Sequence, residues 1–118
     1  MRSILVVDDE PDVLRLVCDL LQDEGYDAIP LDGPRALTTE EQCREPDLFL
    51  LDMNLPVMSG IELARRLRDD GFPNTPMVAM SASPSMLHAA ASTQLFQGIL
   101  AKPFDFEELL EYAERYAS

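Results

Sequence analysis

Five short apolar runs recur along the chain: SILVVD at 3–8, YDAIP at 26–30, DLFLLD at 47–52, PMVAMS at 76–81 and GILAK at 98–102. Continuous runs of Val, Ile, Leu and Met suit strands covered on both faces, whereas a half-exposed strand would alternate. The segments between them carry a helical period. After Pro11, well placed for a first helical turn, Val13, Leu14, Val17, Leu20 and Leu21 share one face, and Gly25 closes the segment. Ile61, Ala64 and Leu67 mark a second helix that ends at Gly71. Asp105 and Glu108 have the spacing of a capping pair, opening a last helix with Phe106, Leu109, Leu110 and Ala113 inward. Spacing alone predicts weaker helices over 34–44 and 84–94. Strand and helix thus alternate five times with no internal repeat or low-complexity linker. The fold expected is α/β, a doubly wound five-stranded parallel sheet, because parallel neighbours need a crossover and helices supply it.

In such sheets ligands bind beyond the carboxyl ends of the strands. The first run ends there in Asp8 and Asp9, the third in Asp52, the fourth in Ser81 and the fifth in Lys102. The second ends in Pro30 and Leu31, which offer no chemistry. Taken singly, Asp8 or Asp9 reads as a helix cap, Ser81 as a loop hydroxyl and Lys102 as a solvated lysine. Coincidence at four strand ends argues for a site. Three carboxylates a few ångströms apart repel by ~1 kcal/mol per pair in water and several times more when partly buried. Either they take up protons or a cation sits among them. All-oxygen ligation by few carboxylates suits Mg²⁺, and an Asp beside a divalent ion can act as a nucleophile toward phosphorus. Lys102 and Ser81 would meet the charge that develops on phosphoryl oxygens.

Composition narrows the picture. With 118 residues, 47% of them hydrophobic, there is room for one core. The cations are eight Arg and a single Lys, so the one compact ammonium stands at one strand end. A net charge of −13 disfavours direct contact with nucleic-acid phosphates or anionic lipid heads. No apolar stretch approaches the ~20 residues that cross a bilayer, and no leader follows Met1, so a cytoplasmic protein is expected. Cys18 and Cys43 stand apart with one His in the chain, and are read as small packing residues on helices.

These residues resemble the receiver domain of two-component response regulators, with chemotaxis regulators among the nearest in kind. The likeness runs through ILVVDDEP at the start, PDLFLLDMNLPVMSGIEL in the middle, MSA after the fourth strand and KPF after the fifth. DMNLPVMSG is the most specific piece, with Pro56 four and Gly60 eight residues after Asp52. The resemblance implies a flavodoxin-like (βα)5 fold of strand order 2-1-3-4-5, with residues 1–118 forming one receiver domain and no output domain. It implies that Asp52 accepts a phosphoryl group from a phosphohistidine on a sensor histidine kinase or a histidine phosphotransfer protein. Asp8, Asp9, Asp52 and the backbone carbonyl of Asn54 would hold Mg²⁺, with Asp9 a more direct ligand than Asp8. Lys102 would pair with Asp52 and then with the phosphoryl oxygens, Ser81 would move toward the phosphate, and the Lys102–Pro103 bond would be cis. Such a domain is no conventional enzyme, but it catalyses its own phosphorylation and autodephosphorylation.

One position departs from the family. Three residues before the lysine, where Tyr or Phe is usual, stands Ile99, which lacks a ring to swing inward. Residues 71–101 also contain no Asp, Glu, Lys or Arg. A dimer built on charged pairs across the helix at 84–94, the strand at 98–102 and the last helix is therefore not expected. The chain is expected to be monomeric or weakly dimeric, with that face docking a downstream protein target. The alternative is a phosphorylation-independent pseudo-receiver, a pure interaction module. A Mg²⁺-dependent phosphatase would need a second Asp where Asn54 stands, and a flavin-binding fold would need a phosphate loop in place of Asp8-Asp9-Glu10.

Overall fold

The computed structural model describes residues 2–31, 45–55 and 58–117. The predicted helix over 34–44, with Cys43, and Pro56 lie outside the described residues. Five strands are present: β1 (Ser3–Val7), β2 (Asp27–Leu31), β3 (Leu48–Asp52), β4 (Met77–Ser81) and β5 (Gly98–Ala101). The described helices are α1 (Pro11–Asp23), α2 (Gly60–Asp69), α3 (Pro84–Ser92) and α4 (Phe106–Tyr116). All strand pairs are parallel, in the order β2-β1-β3-β4-β5.

The strand pleat divides the core in two. Ile4, Val6, Leu48, Leu50, Val78 and Met80 face α1 and α4, where Leu14, Val17, Leu21, Leu109 and Ala113 cover them. Leu5, Val7, Phe49, Leu51, Met77 and Ala79 face the other way, against Leu63, Ala64 and Leu67 of α2 and Ala90 of α3. Every residue of β3 and β4 is buried, which is why those runs are apolar without alternation. Cys18 is buried on α1, as expected, and its thiol is pushed up to about 11 by burial and then by Asp19.

Two local expectations are corrected. β2 begins one residue later than the apolar pattern implies, because the Tyr26 N–H donates to the Leu21 carbonyl in closing α1 and is lost to the ladder. Gly25 supplies the turn with φ +92°, where a side chain would be strained. The Asp105–Glu108 capping pair does not form: Asp105 stands at the N-cap of α4 without a side-chain cap bond. Glu107 and Glu108 bring two negative charges to that first turn, where they complement the helix dipole without a cap bond. Ser59 and Ser83 do cap, accepting from the N–H groups of Glu62 and Met86.

At the end of the sheet away from the carboxyl edge, Arg68 of α2 ties loops together. Its guanidinium donates to the carbonyls of Phe72, Thr75 and Leu95.

Candidate functional site at the carboxyl edge of the sheet

The central strands deliver the acids. Asp52 is the last residue of β3, flanked by β1 and β4, and only 2% of it is exposed. Asp8 follows β1 and is fully buried. Its Oδ1 accepts the Glu10 N–H at 2.9 Å, which fixes the turn into α1. Asp9 and Glu10 are exposed at the mouth. One carboxylate oxygen from each of Asp8, Asp9, Glu10 and Asp52 lies within 4.8 Å of the others.

Lys102 enters from the opposite side. Its backbone N–H donates to the Ser81 carbonyl at 2.9 Å, continuing the β4–β5 ladder, and its bond to Pro103 is cis. The ammonium lies 2.8 Å from Asp8 Oδ2, 3.5 Å from Asp52 Oδ2 and 3.5 Å from Glu10 Oε1. The pairing with Asp52 implied by resemblance is present, but the shorter contact is to Asp8. Asp52 has another donor, the Asn54 N–H at 3.1 Å from Oδ1. Ser81, fully buried, accepts at Oγ from Asn54 Nδ2 at 3.2 Å and from the Ser83 N–H at 3.0 Å.

The electrostatics follow from burial. Burial pushes the Asp52 carboxyl up to about 6; the Asn54 N–H and Lys102 work against the rise and the neighbouring Asp8 adds to it. For Lys102 burial alone would lower the pKa, but the hydrogen bond and charge of Asp8, then Asp52 and Glu10, outweigh it and the net shift is upward. Among the described residues the site thus holds more negative charge than its one lysine compensates. A set of carboxylate oxygens at this spacing fits a hard, oxygen-seeking cation.

Asp8, Asp9, Asp52, Asn54, Ser81 and Lys102 therefore meet at one edge. Two features escaped the sequence reading. Glu10 belongs to the cluster, and its signal was its place in the run Asp8-Asp9-Glu10. The Asn54 side chain bonds Ser81 across 27 residues, for which no local pattern exists. Beside the acids an apolar cavity of about 380 Å³ lies between α1 and the segment after β5, lined by Val13, Leu16, Leu20, Phe104 and Phe106 with Lys102 at its rim. Leu16 is 59% exposed there.

The Asp52 loop is clamped from behind by α2. A Cβ on Gly60 would collide with the Asp52 carbonyl and stand 2.9 Å from Met53 Cα, and the Gly60 N–H donates to the Met53 carbonyl at 3.1 Å. Gly60→Ala is expected to lower unfolding stability by about 1–3 kcal/mol because backbone has to give way. Urea unfolding checks this, and an unchanged midpoint would refute the close approach.

Comparison with known proteins agrees with the geometry. DNA-binding response regulator MtrA of Mycolicibacterium smegmatis is 38% identical over 111 residues, covering 92% of this chain and 47% of that protein. Sensor histidine kinase TmoS of Ectopseudomonas mendocina is 34% identical over 109 residues, covering 90% of this chain and 11% of the kinase. The chain spans about half the length, or less, of these curated relatives. Among solved structures, chemotaxis protein CheY4 of Vibrio cholerae superposes with a TM-score of 0.85 at 29% identity, covering 98% of each chain. Response regulator TrrA of Thermotoga maritima, in complex with Mg²⁺-BeF, gives 0.80 at 29% identity over 98% of this chain and 99% of that one. Residues 4–114 match the response regulator receiver domain as a family. With the strand order, the acid-and-lysine edge and this match in agreement, the chain belongs to the family of response regulator receiver domains.

Proposed function

We propose that this receiver domain is a phosphoacceptor switch, in which Asp52 takes a phosphoryl group from a phosphohistidine of a sensor histidine kinase or histidine phosphotransfer protein. The observation that carries the reading is the placing of a nearly buried Asp52 carboxylate within 3.5 Å of the chain's one lysine, among acids a cation would satisfy. An Asp52 oxygen attacks phosphorus; the new O–P bond forms as the P–N bond breaks, and its electron pair stays on the imidazole nitrogen. Lys102 turns from the carboxylates toward the phosphoryl oxygens, and the Ser81 hydroxyl donates to one of them. Mg²⁺, held by Asp8, Asp9, Asp52 and the Asn54 carbonyl, would supply the positive charge the acids lack. Attack of water on the same phosphorus breaks the Asp52 O–P bond, releases inorganic phosphate and returns the free carboxylate. The domain thus catalyses its own phosphorylation and dephosphorylation, without being a conventional enzyme.

The apolar cavity around Leu16 supports a protein as donor, since a small phosphodonor would need no hydrophobic seat. Output is assigned to the face of α3, β5 and α4, where Ile99 is 39% exposed and docks a downstream target. Residues 71–101 bring no charged pairs, so association through them as a charged dimer is not part of the reading. We place the domain over residues 1–118, in the cytoplasm, contacting neither nucleic acid nor membrane directly. No described helix is long and apolar enough to cross a bilayer.

Incubation with a small phosphodonor and Mg²⁺, followed by mass spectrometry, tests the chemistry. A labile phosphoryl adduct is expected on the wild type, and none on Asp52→Asn or after chelation. A wild type that acquires no adduct would instead be a phosphorylation-independent interaction module.

A further inference from the structure

We propose that the Asn54 side chain is a positioning group that makes Ser81 an obligate hydrogen-bond donor toward a phosphoryl group on Asp52. The inference rests on Asp52 being the acceptor, and deepens that reading. Among the described residues Asn54 is bonded to both partners: its N–H reaches Asp52 Oδ1 at 3.1 Å and its Nδ2 reaches Ser81 Oγ at 3.2 Å. The Ser83 N–H reaches the same Oγ at 3.0 Å.

A serine hydroxyl has two lone pairs and one proton. With both lone pairs receiving N–H groups, the only hydrogen-bonding role left to Ser81 is to donate. This matters because the group it would meet, a phosphoryl oxygen, is acceptor-only; a serine presenting a lone pair would repel it. Ser81 is fully buried at the end of β4, where its backbone carbonyl accepts the Lys102 N–H. The Asn54 and Ser83 N–H groups orient its hydroxyl proton away from themselves before a phosphoryl group arrives. Donation onto an oxygen also polarises its own O–H, strengthening the bond it then makes. The spacing has a consequence for variation: Asn54 joins the two groups from a position two residues after Asp52, and Asp or Glu there would offer an acceptor and leave the Ser81 proton turned toward it.

A double-mutant cycle tests this with beryllofluoride as the phosphoryl mimic, titrated calorimetrically at saturating Mg²⁺, alongside titration of Mg²⁺ alone. Asn54 is exposed, so Asn54→Ala is expected to melt near wild type, and the Mg²⁺ titration separates any change at the metal from a change at the phosphoryl mimic. Beryllofluoride affinity is expected to fall about tenfold, the value of one oriented hydrogen bond to a charged group. In a Ser81→Ala background Asn54→Ala should add nothing further, while in Ser81→Thr, which keeps the hydroxyl, the tenfold loss should persist. Unchanged beryllofluoride affinity in Asn54→Ala, an equal loss in the Ser81→Ala background, or a parallel loss of Mg²⁺ affinity would each overturn the positioning role. A wild type that fails to bind beryllofluoride overturns the phosphoacceptor reading and this proposal with it, whereas binding by the wild type and equally by Asn54→Ala overturns the proposal alone.

Discussion

Asp52→Asn is expected to melt about 10 °C above the wild type at pH 7 in the presence of a chelator. Burial holds the Asp52 carboxyl at about 6 against a usual value of 3.8. Between those values the folded protein keeps a proton that the unfolded chain has released, so stability falls as the pH rises through this window. Above it the folded state carries the full cost of an under-compensated buried charge, on the order of 2–3 kcal/mol. Asn reproduces the neutral carboxyl in shape and removes the charge. The advantage of the variant should therefore shrink as the pH is lowered through about 6 and vanish near 4. Mg²⁺ should narrow it from the other side, by stabilising the wild type more than the variant. Thermal melts across pH, with and without Mg²⁺, check this; a variant no more stable than the wild type at pH 7 would mean that Asp52 is well compensated without metal.

Lys102→Met should act in the opposite direction. The ammonium is the 2.8 Å partner of a fully buried Asp8 and the longer partner of Asp52. Removing one member of such a pair strands the other, at about 3–5 kcal/mol. The Lys102 pKa is raised in the fold, so its contribution is complete below its ordinary value of 10.5 and is lost only as the pH climbs through the raised one. The loss should thus be full at pH 7. It should lessen as the pH falls through about 6, where Asp52 takes up a proton, and on adding Mg²⁺, which can stand in for the missing charge. Combining the substitution with Asp52→Asn should cost less than Lys102→Met alone, because one of the stranded carboxylates is gone. Guanidinium unfolding of the four proteins measures both effects, and strict additivity would show that Lys102 and Asp52 do not sense one another.

The ease with which this site was read from the sequence has a physical origin. A parallel sheet buries both faces, so β3 and β4 are written as unbroken apolar runs, and their ends are marked by the first polar residue, Asp52 and Ser81. Parallel strands bring like ends together, so residues scattered from Asp8 to Lys102 had to share an edge once the strands were recognised. What stayed hidden depends on contacts with no period. Tyr26 looks like strand because it is apolar, and only the use of its N–H in closing α1 moves β2 onward by a residue. Asp105 has the spacing of a cap, but its side chain makes no cap bond, and side-chain rotamers are not written in spacing. The preference of Lys102 for Asp8 over Asp52 depends on sub-ångström differences that strand ends cannot encode. The bond between Asn54 and Ser81 joins two loops whose relative placing is settled by the packing of β3 on β4.

The absence of Asp, Glu, Lys and Arg from residues 71–101 bears on how the domain meets other molecules in solution. All of the formal net charge of −13 is carried by the rest of the chain. An approach over that remaining surface by a second acidic molecule brings like charges together, and is eased as added salt screens them over ~8–10 Å. An encounter made across α3 and β5 meets no Asp, Glu, Lys or Arg of that stretch; the nearest charges are those of α4, which packs on β5 through Tyr112, so its affinity owes more to surface such as Ile99 and the small residues of α3. Ionic strength thus separates the two kinds of contact: binding through the uncharged stretch is expected to change least across a salt series, and association of two acidic surfaces to rise along it.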